Sequence, residues 1–131
     1  MKATVLYIED NPDNMTLVQR VVESVGCTFV GTNTGKEGLR LAAALEPALI
    51  LLDINLPDID GYTVARQMRS SGDPHLLYVP LIAVTANALR GEADKVLEAG
   101  CDVYMSKPIN IRELRARIES FLEITGNSLT R

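Results

Sequence analysis

The stretch ALILLDINLPDIDG, residues 48–61, decides the fold. It begins with the most apolar run of the chain, which has the length of a strand. A run without polar residues predicts a central strand buried on both faces, as parallel strands are when helices cover them. Asp53 closes the run, and in the loop that follows Asp58 and Asp60 are predicted to be turn and helix-cap residues. A helix is predicted to begin near Gly61.

On both sides of this stretch, short apolar runs alternate with amphipathic segments that have helical spacing. Asn11 as N-cap, Pro12 at the first helical position and Gly26 at the end delimit the first helix. Five strand-and-helix units with short connections predict a doubly wound α/β fold, with a five-stranded parallel sheet between two layers of helices. The other four predicted strands are residues 4–8, 28–32, 80–85 and 103–105.

The composition fits a single domain of 131 residues, with a net charge of −4 and a pI near 5.0. Scattered basic residues argue against nucleic acid as a direct partner, and no apolar run is long enough to span a membrane. There is no signal-peptide pattern, and Cys27 and Cys101 form no CxxC pair, so we expect a reduced, cytoplasmic protein. We expect one domain over residues 1–125 and a short tail at 126–131. His75 is predicted to lie exposed in a loop.

Polar side chains follow four of the five predicted strands. Glu9 and Asp10 follow the first, Asp53 ends the third, Thr85 ends the fourth and Lys107 follows the fifth. Ligands of open parallel sheets bind beyond the carboxyl ends of the strands, so we expect these side chains to lie together. One carboxylate at such an end is commonly a helix cap, whereas acid, acid, hydroxyl and amine together predict a reactive site.

Such a cluster needs a counter-charge, because two carboxylates about 5 Å apart repel by roughly 3 kcal/mol at an effective dielectric constant of 20. An all-oxygen set without Cys or His suits Mg²⁺. Thr85 could then donate to a phosphoryl oxygen, and the Lys107 ammonium could neutralise another. Asp53 would be the nucleophile and would form an acyl phosphate.

Four motifs in this order resemble the response-regulator receiver domain, over essentially the whole chain from residue 3 to residue 124. They are Glu9-Asp10, the stretch at 52–61, Val84-Thr85-Ala86 and Ser106-Lys107-Pro108. The resemblance implies the flavodoxin-like (βα)5 fold with strand order 2-1-3-4-5, which hydrophobic periodicity alone does not give.

The resemblance also implies a partner and a metal site. Asp53 would accept the phosphoryl group from a phosphohistidine of a histidine kinase or a histidine phosphotransfer protein. Asp10, Asp53 and the backbone carbonyl of Asn55 would coordinate Mg²⁺, while Glu9 would act largely through water.

A switch is implied as well. Lys107 and Thr85 would hold the phosphoryl group, and movement of Thr85 would make room for Tyr104. The surface formed by the helix after the fourth strand, the fifth strand and the last helix would then change so that a downstream protein can bind. This predicted signalling face could also join two copies of the phosphorylated chain. The remaining implied assignments are a small residue beside the phosphoryl group (Ala86), two residues that tune acyl-phosphate lifetime (Asn55, Asn87), a cis bond before Pro108, and Gly61 as a structural residue.

Alternatives remain at this point. An aspartate-nucleophile phosphatase of the haloacid dehalogenase type also uses Asp, Thr, Lys and Mg²⁺, but it needs a second acid where Asn55 stands. A flavodoxin-like cofactor binder would need a phosphate-cradling loop after the first strand, and an inert pseudo-receiver would have lost acidic residues. We expect a free-standing regulator, because the chain starts at Met1, and one that catalyses only its own phosphorylation and dephosphorylation.

Overall fold

The computed structural model describes residues 2–86 and 91–122, which form one five-stranded sheet and six helices. The strands are β1 (Thr4–Ile8), β2 (Thr28–Thr32), β3 (Leu49–Asp53), β4 (Leu81–Thr85) and β5 (Val103–Ser106). The helices are α1 (Pro12–Ser24), α2 (Gly35–Leu45), α3 (Gly61–Arg69), α4 (Pro74–Tyr78), α5 (Glu92–Ala99) and α6 (Ile111–Leu122). Asn87 and the predicted tail at 126–131 lie outside the described residues.

All neighbouring strands are parallel, and their order is β2-β1-β3-β4-β5. This confirms the predicted doubly wound α/β fold and the strand order that the resemblance implied. The register pairs Ile8 with Leu52, Asp53 with Val84 and Thr85 with Ser106. The ends of β1, β3, β4 and β5 are therefore level with one another at one edge of the sheet.

The core consists of two apolar layers, one on each face of the sheet. Successive residues of β3 contribute to opposite layers: Ile50 and Leu52 to one, Leu49 and Leu51 to the other. All five residues of β3 and of β4 are buried. The uninterrupted apolar run thus forms the predicted strand that is buried on both faces.

The predicted helix caps are present. The Asn11 side chain accepts a hydrogen bond from the Asn14 amide at 2.9 Å, and Asp60 caps α3 by accepting from the Thr63 amide at 2.9 Å. Asp58 does more than shape its turn, because its carboxylate accepts hydrogen bonds from the amides of Gly35 and Lys36 at the start of α2. These bonds lower the pKa of Asp58 to about 2.

One part of the sequence interpretation is wrong. Residues 74–78 form the short helix α4, where a loop was predicted, because Asp73 caps the His75 amide and Pro74 suits the first turn. His75 is only half-buried in this helix instead of exposed, since its Nε2 donates to the Pro47 carbonyl at 2.6 Å. The predicted signalling face consequently corresponds to α5, β5 and α6.

Two remaining features concern the chain as a whole. Cys27 and Cys101 are buried free thiols, as expected of small packing residues. Among residues 2–86 and 91–122, no helix has the length and apolar character needed to cross a membrane.

Candidate functional site

Three carboxylates meet where β1 and β3 end. Glu9, Asp10 and Asp53 each offer a carboxylate oxygen, and these oxygens lie within 4.8 Å of one another. Glu9 and Asp53 are each only 1% exposed, whereas Asp10 faces solvent. The sequence therefore predicted the members of the cluster, and the parallel register of β1 and β3 brings them together.

Glu9 is held by the protein through both of its oxygens. The Tyr7 hydroxyl donates to Glu9 Oε1 at 2.7 Å, and the Asn14 side-chain amide donates to the same oxygen at 3.3 Å. The Asn11 backbone amide donates to Oε2 at 3.3 Å. Tyr7 was missed in the sequence, although residues two apart on a strand share a face. Burial and the Glu9 carboxylate raise the pKa of Tyr7, so its hydroxyl stays a donor.

Lys107 supplies positive charge beside this cluster. Its Nζ lies 3.0 Å from Glu9 Oε1 and 3.4 Å from Asp53 Oδ1. The backbone fixes the origin of this side chain, since the Lys107 amide donates to the Thr85 carbonyl at 2.8 Å. The Lys107–Pro108 bond is cis. Burial works against the charged ammonium, but the carboxylates of Glu9 and Asp53 outweigh it and raise the pKa of Lys107.

The two buried carboxyl groups have opposite pKa shifts. Burial and the adjacent Glu9 raise the pKa of Asp53 to about 7, and the Asn55 amide and Lys107 oppose this only in part. Burial also works to raise the pKa of Glu9, but hydrogen bonds with Asp53, Tyr7 and Lys107 hold it below its ordinary value. Without a bound metal ion, the raised pKa of Asp53 and the lowered pKa of Glu9 favour keeping the proton of the pair on Asp53.

The loop after Asp53 is tightly folded around it. The Asn55 amide donates to Asp53 Oδ1 at 3.1 Å, and the Gly61 amide donates to the Ile54 carbonyl at 2.8 Å. A Cβ at Gly61 would lie 2.6 Å from the Asp53 carbonyl oxygen and 2.7 Å from the Ile54 Cα. Only glycine allows α3 to begin this close to the end of β3, so the structure requires a residue without a side chain at position 61.

Thr85 ends β4 with its side chain fully buried. Its hydroxyl donates to Glu92 Oε1 at 3.1 Å, so it contacts the first residue of α5. Sequence reasoning missed Glu92, which lies seven residues from Thr85. Ala86 is exposed next to Thr85, and Tyr104 on β5 is half-buried against the apolar layer that includes Leu52.

The donor set fits a hard divalent cation. It contains only carboxylate oxygens, and one of its members, Asp10, faces solvent. In the part of the chain that the structure describes, the ion pairs of this cluster are those of Lys107 with Glu9 and Asp53. Both oxygens of Glu9 already have partners in the protein, so Asp10 and Asp53 are better placed for direct coordination. An open cavity of about 640 Å³ lies against Glu9 and Asp10, between α1 and β2.

Comparisons with known proteins agree with this geometry. A family model described as the response regulator receiver domain matches residues 5–119. The polar-differentiation response regulator DivK of Brucella ovis is 38% identical over 122 residues, which are 93% of this chain and 98% of DivK.

Solved structures are similar over nearly the whole length. The receiver domain of a sensor histidine kinase from Pseudomonas aeruginosa is 32% identical, with a TM-score of 0.84 over 94% of this chain and 99% of its own. That structure has a magnesium ion coordinated in its active-site cleft. The chemotaxis response regulator CheY4 of Vibrio cholerae, at 19% identity, shares the fold with a TM-score of 0.85 over 92% of this chain and 99% of its own.

Proposed function

This chain belongs to the response regulator receiver domain family of two-component signalling, and on that premise we propose that it accepts a phosphoryl group on Asp53. The observation that carries the proposal is the environment of this carboxylate. Asp53 ends a fully buried strand, lies 3.4 Å from an ammonium, and shares an acidic cluster with Glu9 and Asp10. The same constellation argues against an inert docking module, and family membership disfavours the haloacid dehalogenase alternative.

The donor is a phosphohistidine of a histidine kinase or a histidine phosphotransfer protein. An ionised oxygen of Asp53 attacks the phosphorus, a new O–P bond forms and the P–N bond breaks. The electron pair of the broken bond stays on the imidazole nitrogen, which takes up a proton. Water later attacks the acyl phosphate, and this releases inorganic phosphate and restores the Asp53 carboxylate. The protein thus catalyses only its own phosphorylation and dephosphorylation.

Asp10, Asp53 and the Asn55 backbone carbonyl would hold Mg²⁺, with Glu9 contributing largely through water. Two observations support this division: Asp10 faces solvent, while both Glu9 oxygens are engaged by the protein. The magnesium ion in the Pseudomonas receiver supports the choice of metal. When bound, Mg²⁺ supplies positive charge to the transferring phosphoryl oxygens and offsets repulsion among the acids.

Two further residues hold the phosphoryl group. Lys107 is already beside Asp53 but lies closer to Glu9, so its ammonium shifts from Glu9 toward the new phosphoryl oxygens. Thr85 gives up its hydrogen bond to Glu92 and donates a hydrogen bond to a phosphoryl oxygen instead. In the unphosphorylated protein the Lys107 ammonium therefore contacts Glu9, and the Thr85 hydroxyl contacts Glu92. These contacts hold both side chains near the positions from which they would bind the phosphoryl group. Asn55 and Asn87 tune the lifetime of the acyl phosphate.

The signal leaves the site through Thr85 and Tyr104. Movement of Thr85 makes room for the half-buried Tyr104, and the face formed by α5, β5 and α6 changes for a downstream protein partner or a second copy. Phosphorylation replaces the single charge of the Asp53 carboxylate with a phosphoryl group that carries nearly two negative charges and strong acceptor oxygens, and these bias such an equilibrium. We place this signalling in the cytoplasm.

Labelling by acetyl phosphate tests the proposal without a cognate kinase. We expect Mg²⁺-dependent incorporation of one phosphoryl group in the native protein and none in Asp53→Asn. Asp60→Asn is the matched control, since Asp60 caps α3 through the Thr63 amide and lies outside the acidic cluster. Persistent labelling of Asp53→Asn would refute the assignment.

A further inference from the structure

Glu92 connects the site to two helices. It is the first residue of α5, it is half-buried, and its Oε1 accepts the hydroxyl proton of the fully buried Thr85 at 3.1 Å. No motif of the sequence drew attention to this residue. Its carboxylate lies in the first turn of α5, where the helix dipole favours negative charge. Glu92 is thus well placed to accept the Thr85 hydroxyl proton.

Tyr62 of α3 is also influenced by Glu92. Burial, together with hydrogen bonding to Glu92 and the charge of that carboxylate, raises the pKa of Tyr62 to about 12. The helices α3 and α5 also pack against each other, and Tyr62 lies against the same apolar layer as Tyr104. Glu92 therefore lies where α5 packs against α3 and bonds to the end of β4.

A hydroxyl group has one proton to donate. While Thr85 donates that proton to Glu92, it cannot donate it to a phosphoryl oxygen, and the reverse also holds. A phosphoryl group on Asp53 and a carboxylate on α5 would therefore compete for a single donor. The acceptor that takes this proton determines whether the Thr85–Glu92 hydrogen bond links the first turn of α5 to the end of β4.

We propose that Glu92 is a positioning residue, which retains the Thr85 hydroxyl in the unphosphorylated protein and thereby couples phosphorylation to the first turn of α5. The proposal rests on the function proposed above for Asp53 and Thr85. Phosphorylation breaks the Thr85–Glu92 hydrogen bond, so α5 loses one of its links to the sheet. Weakening Glu92 as an acceptor therefore favours the phosphorylated conformation.

The test uses beryllofluoride, a phosphoryl mimic, together with Mg²⁺, and measures its dissociation constant by fluorine NMR. Glu92→Gln should bind about three- to tenfold more tightly than the native protein, because the competing charge-assisted hydrogen bond becomes a weaker neutral one. Asp94→Asn is the matched control: it removes one acidic charge from the same helical turn, and we expect no more than about a twofold change. If Glu92 only supported the fold, the Glu92→Gln substitution would weaken the binding of beryllofluoride.

A double variant separates the hydrogen bond from simple charge repulsion. In a Thr85→Ala background, Glu92→Gln should give no gain, since the shared proton is absent. A gain that persists there, or equals that of Asp94→Asn, would overturn the proposal, as would unchanged or weaker binding by Glu92→Gln. Glu92→Asp, which keeps the charge but shortens the side chain by one methylene, should give a smaller gain and provides a second test should Glu92→Gln fold poorly.

A measurement without metal or ligand complements these titrations. The Lys95 amide donates to the Gly91 carbonyl at 3.1 Å in the first turn of α5, and its hydrogen exchange should accelerate in Glu92→Gln but not in Asp94→Asn. Equal exchange rates of the Lys95 amide in the two variants would contradict a link between Glu92 and the first turn of α5. A native protein that binds no beryllofluoride would contradict the proposed function itself, whereas native binding with an unaltered Glu92→Gln would overturn only this inference.

Discussion

The two edges of the sheet use polar residues in opposite ways. The carboxyl edge consists of Glu9, Asp10, Asp53, Thr85 and Lys107. The amino edge is organised around Arg69, whose guanidinium donates to the carbonyls of Leu76, Leu77, Val79 and Gly100 and to the carboxylate of Asp102. Asp102 in turn accepts from the Leu81 amide at 2.8 Å. Donors and acceptors at the amino edge satisfy one another within the chain.

At the carboxyl edge three acids cluster beside the Lys107 ammonium, and burial together with the adjacent Glu9 raises the pKa of Asp53 to about 7. That edge requires a proton or a cation to relieve repulsion among its carboxylates, whereas the amino edge is complete by itself. The difference indicates that the sheet is stabilised at one end and kept reactive at the other. Substitutions at the two edges should accordingly affect different properties.

The largest expected effect on stability is at the amino edge. Arg69→Met keeps the length of the side chain but leaves four carbonyl groups, at Leu76, Leu77, Val79 and Gly100, without their charged donor. We expect the free energy of unfolding to fall by about 3 kcal/mol, measured by urea denaturation.

Arg66→Met is the control for this prediction, because Arg66 lies exposed on the same helix. Its effect should remain below about 0.5 kcal/mol. Folded Arg69→Met should still be labelled by acetyl phosphate. Equal stability losses in the two variants would contradict the structural role assigned to Arg69.

Asp53→Asn should show the reverse behaviour, with function lost and stability gained. The folded protein has the pKa of Asp53 raised to about 7 from 3.8, so ionising Asp53 destabilises the fold as pH rises through that interval. Between pH 5 and pH 8 the stability of the native protein should therefore fall by about 2 kcal/mol relative to Asp53→Asn. Chemical denaturation across this range measures the difference.

Glu98→Gln removes an exposed acid from α5 and serves as the comparison. We expect it to follow the native protein at every pH to within about 0.5 kcal/mol. If the difference in unfolding free energy between Asp53→Asn and the native protein did not grow with pH, Asp53 would not be the carboxyl group with the raised pKa at this edge.

A smaller effect should follow the addition of Mg²⁺. At ten times its dissociation constant, the ion should stabilise the native protein by about 1.4 kcal/mol, while Asp10→Asn and Asp53→Asn should respond much less. The proton on Asp53 competes with the metal, so the apparent affinity should be about tenfold weaker at pH 6 than at pH 8. Affinity that is independent of pH would place the metal away from Asp53.

Much of this molecule could be predicted from its sequence, because its main features depend on residue type and spacing. The apolar run before Asp53 specified a strand buried on both faces, and the acidic residues that follow β1 and end β3 specified the carboxylate cluster. The helix caps at Asn11 and Asp60 were also visible, since their side chains bond to amides only three residues away.

Other features depend on contacts that residue type does not reveal. The acceptors of Arg69 are mostly backbone carbonyls, which every residue carries, and His75 meets the carbonyl of Pro47, 28 residues earlier in the chain. The five-residue helix α4 is too short for a periodic pattern. The pairing of Thr85 with Glu92 depends on how α5 approaches β4, so no motif indicated it.

The most direct test of the central claim is to identify the residue that carries the phosphoryl group. The protein is treated with acetyl phosphate and Mg²⁺, the acyl phosphate is reduced with borohydride, and peptides are sequenced by mass spectrometry. We predict homoserine at position 53, dependent on Mg²⁺ and on the phosphodonor. Reduction at another acid, or unmodified Asp53 in protein that has demonstrably taken up phosphate, would contradict the account.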